Sequence, residues 1–177
     1  MEPIELIGQI LGVLAVIVYF FTYQTTVYKK MMIIQMVTAG LFCIHYFMID
    51  AASAVIPNFV VILRNIVYYN NDKKFFQSKL FPIFFAVIMV VLSIFSWEGY
   101  YSLFIIAGLA LNTLFTALPN PQTIRKSILL TSPLVFTYDV FALSIGGMIN
   151  ETVAVVSSII GIIRYKREAA KKPWYTP

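Results

Sequence analysis

Asp139 stands well inside a run of apolar side chains, with Phe136, Val140 and Phe141 around it. An ionisable group at membrane depth costs roughly 2.5–3.5 kcal/mol on insertion scales and marks a functional site by default. Such a carboxyl can be protonated, pair with Arg64 or another cation, or bind a cation in transit. It can equally serve as a hydrogen-bonded or ion-paired tie between two helices. Asn58 and Asn65 are seven positions apart, which puts them on one face of a helix that Tyr69 continues. Ser158 and Tyr165 repeat that spacing near the C-terminus. A face with amides in one place and hydroxyls in the other suits neutral polar solutes such as sugars or small amides. The same side chains also act as interhelix glue, worth ~0.6 kcal/mol each.

Asn112, Thr113 and Thr116 form a second polar patch, and Tyr19, Thr22 and Tyr23 a third. Asn112 reaches a solute if that patch faces a cavity, whereas threonines often bond to the preceding turn. His45, beside Cys43 and Tyr46, is either a satisfied structural histidine or a member of a proton relay, and Tyr138 raises the same question. Arg64 either binds substrate or snorkels to the nearer membrane face. One cysteine and one histidine exclude a disulfide framework and a conventional zinc site. The chain has neither a GxxxxGK[ST] phosphate loop nor a GxGxxG turn. With no paired carboxylates either, catalytic residues, metal and cofactor are all expected to be absent, and an enzyme is not expected.

What must position these residues follows from composition. The chain has 177 residues, 60% apolar and only 12% charged, against roughly 45–50% and 25% in soluble domains. A single water-soluble core is excluded. Apolar runs predict seven helices, near 4–23, 32–49, 53–69, 80–96, 100–118, 127–146 and 149–165, several of them short for a bilayer. With seven spans, Lys29, Lys30, Lys73, Lys74, Lys79, Arg125, Lys126 and the tail cations from Arg164 to Lys172 fall on one side. Glu2, Glu5, Asp50, Glu98 and Glu151 fall on the other. The positive-inside rule places the N-terminus outside and the C-terminus in the cytoplasm. The net charge of +5 is thereby explained as a topology signal, and no nucleic-acid partner is expected. Trp97, Trp174 and Tyr100-Tyr101 read as interface anchors.

The first and last thirds compare as an internal repeat. Gly12 matches Gly108 at a shift of 96 residues, as Lys29-Lys30 matches Arg125-Lys126. A smaller shift aligns His45-Tyr46 with Tyr138-Asp139, and a larger one aligns Asn58…Arg64-Asn65 with Ser158…Arg164-Tyr165. The expected organisation is one membrane domain, 1–177: a three-helix repeat at 4–69, a linker helix at 80–96, a second repeat at 100–165 and a basic tail at 166–177. Two parallel repeats are a recurring transporter plan, with a site near midplane between the halves. Gly8 and Gly12 are spaced for close helix approach, either within a bundle or at a homo-oligomer seam.

The stretches Gly8-Gln9-Ile10-Leu11-Gly12-Val13, Ile44-His45-Tyr46-Phe47-Met48, Ala54 to Asn65, and Ser144 to Glu151 followed by Ile162-Ile163-Arg164-Tyr165 resemble the bacterial inner-membrane YgjV family. That family looks related to the SWEET and PQ-loop membrane transporter group. The resemblance implies an all-α, 3+1+3 bundle, multi-pass in a bacterial plasma membrane, N-terminus outside. In SWEET-like proteins an asparagine of the third and seventh helices lines the pocket; Asn58 resembles the first, and Ser158 stands at the second place. The Pro-Gln pair occurs once, as Pro121-Gln122; with Pro133, these residues are the expected gating positions, since proline loosens helices. The resulting expectation is passage of a small polar solute by alternating access. Asn58, Asn112, Ser158 and Asp139 would bind it, with His45, Tyr138 and Asn65 in a pocket or proton relay. The alternative is a non-transporting scaffold or accessory subunit whose polar residues only hold helices together.

Overall fold

The computed structural model describes residues 3–49, 52–95, 97 and 99–171. Seven α-helices and no strands occur among them: α1 (Pro3–Thr22), α2 (Tyr28–Met48), α3 (Ala52–Tyr69), α4 (Leu80–Phe95), α5 (Ser102–Thr116), α6 (Pro121–Phe141) and α7 (Ile145–Lys171). A single 3-10 turn, Lys74–Gln77, precedes α4. Glu2, Asp50, Glu98, Lys172 and Trp174, used above for orientation and anchoring, lie outside the described residues.

Three helices, α2, α6 and α7, begin a turn or more earlier than the apolar runs suggest, two of them at a side-chain cap. The Asn120 side chain accepts hydrogen bonds from the backbone N–H of Gln122 (2.9 Å) and Thr123 (3.4 Å), and Pro121 takes the first helical position. That is a capped helix start, so Arg125 and Lys126 belong to α6 and not to a loop. Ser144 does the same for α7: its hydroxyl accepts from Gly147 N at 3.2 Å and its carbonyl from Met148 N at 3.0 Å. Gly146-Gly147 therefore lie in the first turn of α7, and Glu151, grouped above with the surface carboxylates of one side, rides in its second turn. At its far end α7 runs on to Lys171, so the start of the basic tail is helical.

Helices pack in chain order. α2 lies between α1 and α3, α6 between α5 and α7, and α4 rests mainly on α5; lighter contacts of α3 with α4 and of α1 with α7 close the circuit. Glycines set the closest seams. A methyl group on Gly12 would sit 2.9 Å from the His45 ring, and one on Gly108 would press on Val135 and Thr131 of α6. Both GxxxG glycines of α1 face α2 within the same chain.

The distribution of polarity is inverted relative to a water-soluble protein. Ile10, Val13 and Ile17 of α1 are 59%, 63% and 52% exposed, and comparable aliphatic faces cover α3, α4 and α7. Arg64, Asn65, Thr113, Arg125, Asp139 and Ser158 are buried. An apolar exterior of this extent marks a surface made for something other than water. By length and composition α2 and α7 are able to cross a membrane; Leu6–Thr22, Ala54–Tyr69, Leu80–Phe95 and Ser102–Thr116 are apolar but shorter. The 15-residue α5 rises ~22 Å, against a hydrocarbon core of about 30 Å.

Candidate functional site

The two ends of the bundle differ. At one end the finish of α1, the start of α2 and the connection after α3 meet, and Lys29 pairs with Asp72 at 3.3 Å. A hydrogen bond to its own backbone, then Lys29, hold the Asp72 carboxyl below its usual range. Lys73, Lys74, Lys79 and Lys126 are also here, so this is termed the basic end. At the opposite end, Gly8 packs on Met48 and Ile49, and Gly147 on Asp139.

Between them lies a cavity of about 170 Å³ lined from six helices, α6 excepted. Asn58 and Arg64 reach it from α3, Gln35 and Thr38 from α2, Asn112 and Thr113 from α5, and Asn150 and Glu151 from α7; Tyr19 of α1 and Tyr23 just past its end complete the polar lining. Arg64 is 4% exposed. It does not snorkel, because neighbours hold it inward: Nε donates to Asn65 Oδ1 (3.2 Å) and Nη1 to Thr113 Oγ1 (3.1 Å), with the guanidinium 5.9 Å from the Tyr68 ring centre. Asn65 in turn donates to Gln35 Oε1 at 3.0 Å, so it acts as a bracket for Arg64 behind the cavity wall. Asn112 accepts from Thr116 Oγ1 at 3.1 Å, and Asn58 donates to Ala54 O at 2.9 Å.

A crevice of about 590 Å³ lies between α1, α2 and α7 in the opposite half of the bundle and shares Phe42, Asn58 and Asn150 with the cavity. His45 lines it and donates from Nδ1 to Gly8 O at 2.7 Å; a carbonyl only accepts, so that bond fixes the proton on Nδ1. Toward the basic end the cavity is shut. Tyr23, Tyr28, Met31, Met32, Ile124 and Ile128 form a dry core there. Bonds between the first and last three helices reinforce it: Tyr28 OH to Thr116 O (2.9 Å), Tyr68 OH to Thr113 O (3.2 Å), and Gln24 Nε2 to Ser157 (2.9 Å). Arg125, fully buried, donates to Tyr23 O (2.7 Å) and Thr25 O (2.6 Å). Gly161 makes room for this clasp, since a methyl group there would meet both Tyr23 O and Arg125.

Of the expected site residues, Asn58 and Asn112 thus meet at one cavity. Ser158 is fully buried away from it, its hydroxyl unpartnered, while its neighbour Ser157 makes the contacts across to α1. Asp139 is buried against Gly147 in the α6–α7 seam, and it is in neither ion pair found among the described residues. Tyr138 packs 5.8 Å from the Tyr101 ring. Pro121 and Gln122 line a groove at the basic end, and Pro133 a separate lateral pocket beside Glu151.

Glu151, grouped with the surface carboxylates of one side in the sequence reading, is the cavity residue which that reading misses. α2 and α6 begin 93 residues apart (28 and 121), as do α3 and α7 (52 and 145). That is the shift relating His45-Tyr46 to Tyr138-Asp139, and applied to Asn58 it gives Glu151, not Ser158.

A family model described as bacterial inner membrane protein, Imp-YgjV, matches residues 6–169. The chain belongs to that family. The match spans every helix from the second turn of α1 to the last turn of α7, so the membership applies to the cavity and both ends together, and with it the inner-membrane setting that the apolar exterior requires. No curated protein and no solved structure matches the chain.

Proposed function

We propose that this Imp-YgjV protein is a multi-pass carrier that moves a small polar solute by alternating access. The observation that carries this reading is the polar cavity adjoined by a crevice in one half of the bundle and closed off in the other half by the Arg125 clasp and the apolar core. A packing scaffold has no need of such a one-sided opening. The 93-residue offset of two helix pairs supports a 3+1+3 plan with α4 as linker, similar to the SWEET-like arrangement. Lys and Arg gathered at the closed end support a cytoplasmic location for that end and an external N-terminus. The structure then corresponds to an outward-open state. Asn58 and Asn112 are the solute contacts; no catalytic role is assigned.

Tracer uptake into proteoliposomes tests this. Saturable uptake of a polar tracer is expected, reduced about ten-fold or more by Asn58→Ala or Asn112→Ala, since each removes a polar contact to the bound solute. No uptake of any tracer across a broad solute panel overturns the carrier reading in favour of a scaffold.

A further inference from the structure

Two side chains of opposite formal charge face the central cavity without meeting. Arg64 enters from α3 and Glu151 from α7, and neither takes part in the ion pairs found among the described residues. Inside an apolar bundle, opposite charges gain most by closing on each other. Here each is held toward its own side. Asn65 and Thr113 engage the Arg64 guanidinium, which has five N–H donors and keeps others to offer. The Glu151 Oε1 accepts from Asn150 Nδ2 at 3.3 Å, and that contact turns Asn150 Oδ1 the other way. Asn150 Oδ1 is buried with no hydrogen-bond partner, as is Thr38 Oγ1 on the α2 wall. The Arg64 side of the cavity therefore offers donors, and the α7 side, with Glu151 and Asn150 Oδ1, offers acceptors.

We propose that the solute of this site is a small zwitterion, bound with its carboxylate on Arg64 and its ammonium on Glu151 and Asn150. This rests on the carrier reading of the same cavity and replaces the sugar-like solute expected from sequence. A neutral polyol would leave both charges without a counter-charge, and a simple anion would leave Glu151 unpaired. The cavity of about 170 Å³ is close to the ~150 Å³ that takes up benzene, a molecule of six heavy atoms, which suits an amino acid the size of alanine.

Four ligands of nearly equal size separate the possibilities: alanine (zwitterion), alaninamide (cation), lactate (anion) and lactamide (neutral). Binding to purified protein by calorimetry is expected to favour alanine about ten-fold or more over each of the others, as a lost charge-assisted contact implies. Glu151→Gln should erase the preference over lactate, and Arg64→Gln the preference over alaninamide. Equal binding of all four, a preference for lactamide, or no alanine binding by the wild type overturns the proposal, and none of these depends on a variant folding. Proteoliposome uptake of a sugar tracer without alanine preference would leave the carrier reading intact. Absence of uptake for every tracer would remove the carrier reading itself.

Discussion

Gly12 and Gly40 are both helical glycines, and they differ in what a methyl group would meet. At Gly12 it lies 2.9 Å from His45 Cε1 and Nδ1; at Gly40 nothing lies within 4 Å. Displacing the His45 ring also threatens its bond to Gly8 O. Gly12→Ala should therefore cost about 1–3 kcal/mol, the usual range for overpacking. Gly40→Ala should stabilise by roughly 0.5–1 kcal/mol through helix propensity. Thermal unfolding of the two variants in detergent checks this, and equal shifts would show that the α1–α2 seam is looser than described. At this scale the sequence was partly legible. Asn58 and Asn112 are recognisable because an amide in an apolar run is rare and needs a partner. The sequence leaves Arg64 open between two roles and does not reveal the burial of Arg125, for a physical reason: a long cation near a helix end has two ways to be satisfied, water or buried acceptors. Sequence does not say that Thr113 or the Tyr23 carbonyl is waiting.

At the scale of elements, the α6–α7 connection positions both Asp139 and Glu151. Ser144 N reaches back to Asp139 O at 2.8 Å while Leu143 adopts φ +54°, a left-handed conformation. A leucine there costs roughly 1–2 kcal/mol relative to the right-handed region, and glycine is the usual residue at such a helix end. Leu143→Gly should raise stability by up to about 1 kcal/mol, less than the full strain because glycine loses more freedom on folding. Ser144→Ala should lower it by about 1 kcal/mol by removing the cap of α7. Chemical denaturation of both variants in one detergent measures the pair, and a destabilised Leu143→Gly would contradict the strain assigned to that turn. Apolar runs located all seven helices, since burial in lipid or protein demands long apolar segments. They miss the polar first turns of α6 and α7, because capping by Asn120 and Ser144 lets charged and glycine residues join a helix without apolar pattern, and also that of α2, which starts at Tyr28 without a side-chain cap. Grouping Glu151 with the surface carboxylates follows directly from that.

At the scale of the whole molecule, the apolar exterior, polar interior and one-sided access belong together. The exterior suits lipid, which leaves the interior as the place for polar chemistry. The asymmetry between ends comes from which helices are tied: Arg125, Tyr28 and Gln24 bind the first three helices to the last three at the basic end. Composition and the sign of charges at each turn made the membrane class and the helix number readable. The path to the cavity was not readable, because it depends on which faces of α1, α2 and α7 meet, and on a repeat offset that single residue matches gave inconsistently. The central claim is that the cavity is wet and reached from the N-terminal side. Thr38, buried on the cavity wall, tests it most directly as Thr38→Cys in a Cys43→Ser background, probed with a small membrane-impermeant thiol reagent. Labelling in intact spheroplasts, faster than in inverted vesicles, is the predicted result. No labelling from either face, or labelling only from the cytoplasmic face, would contradict the account.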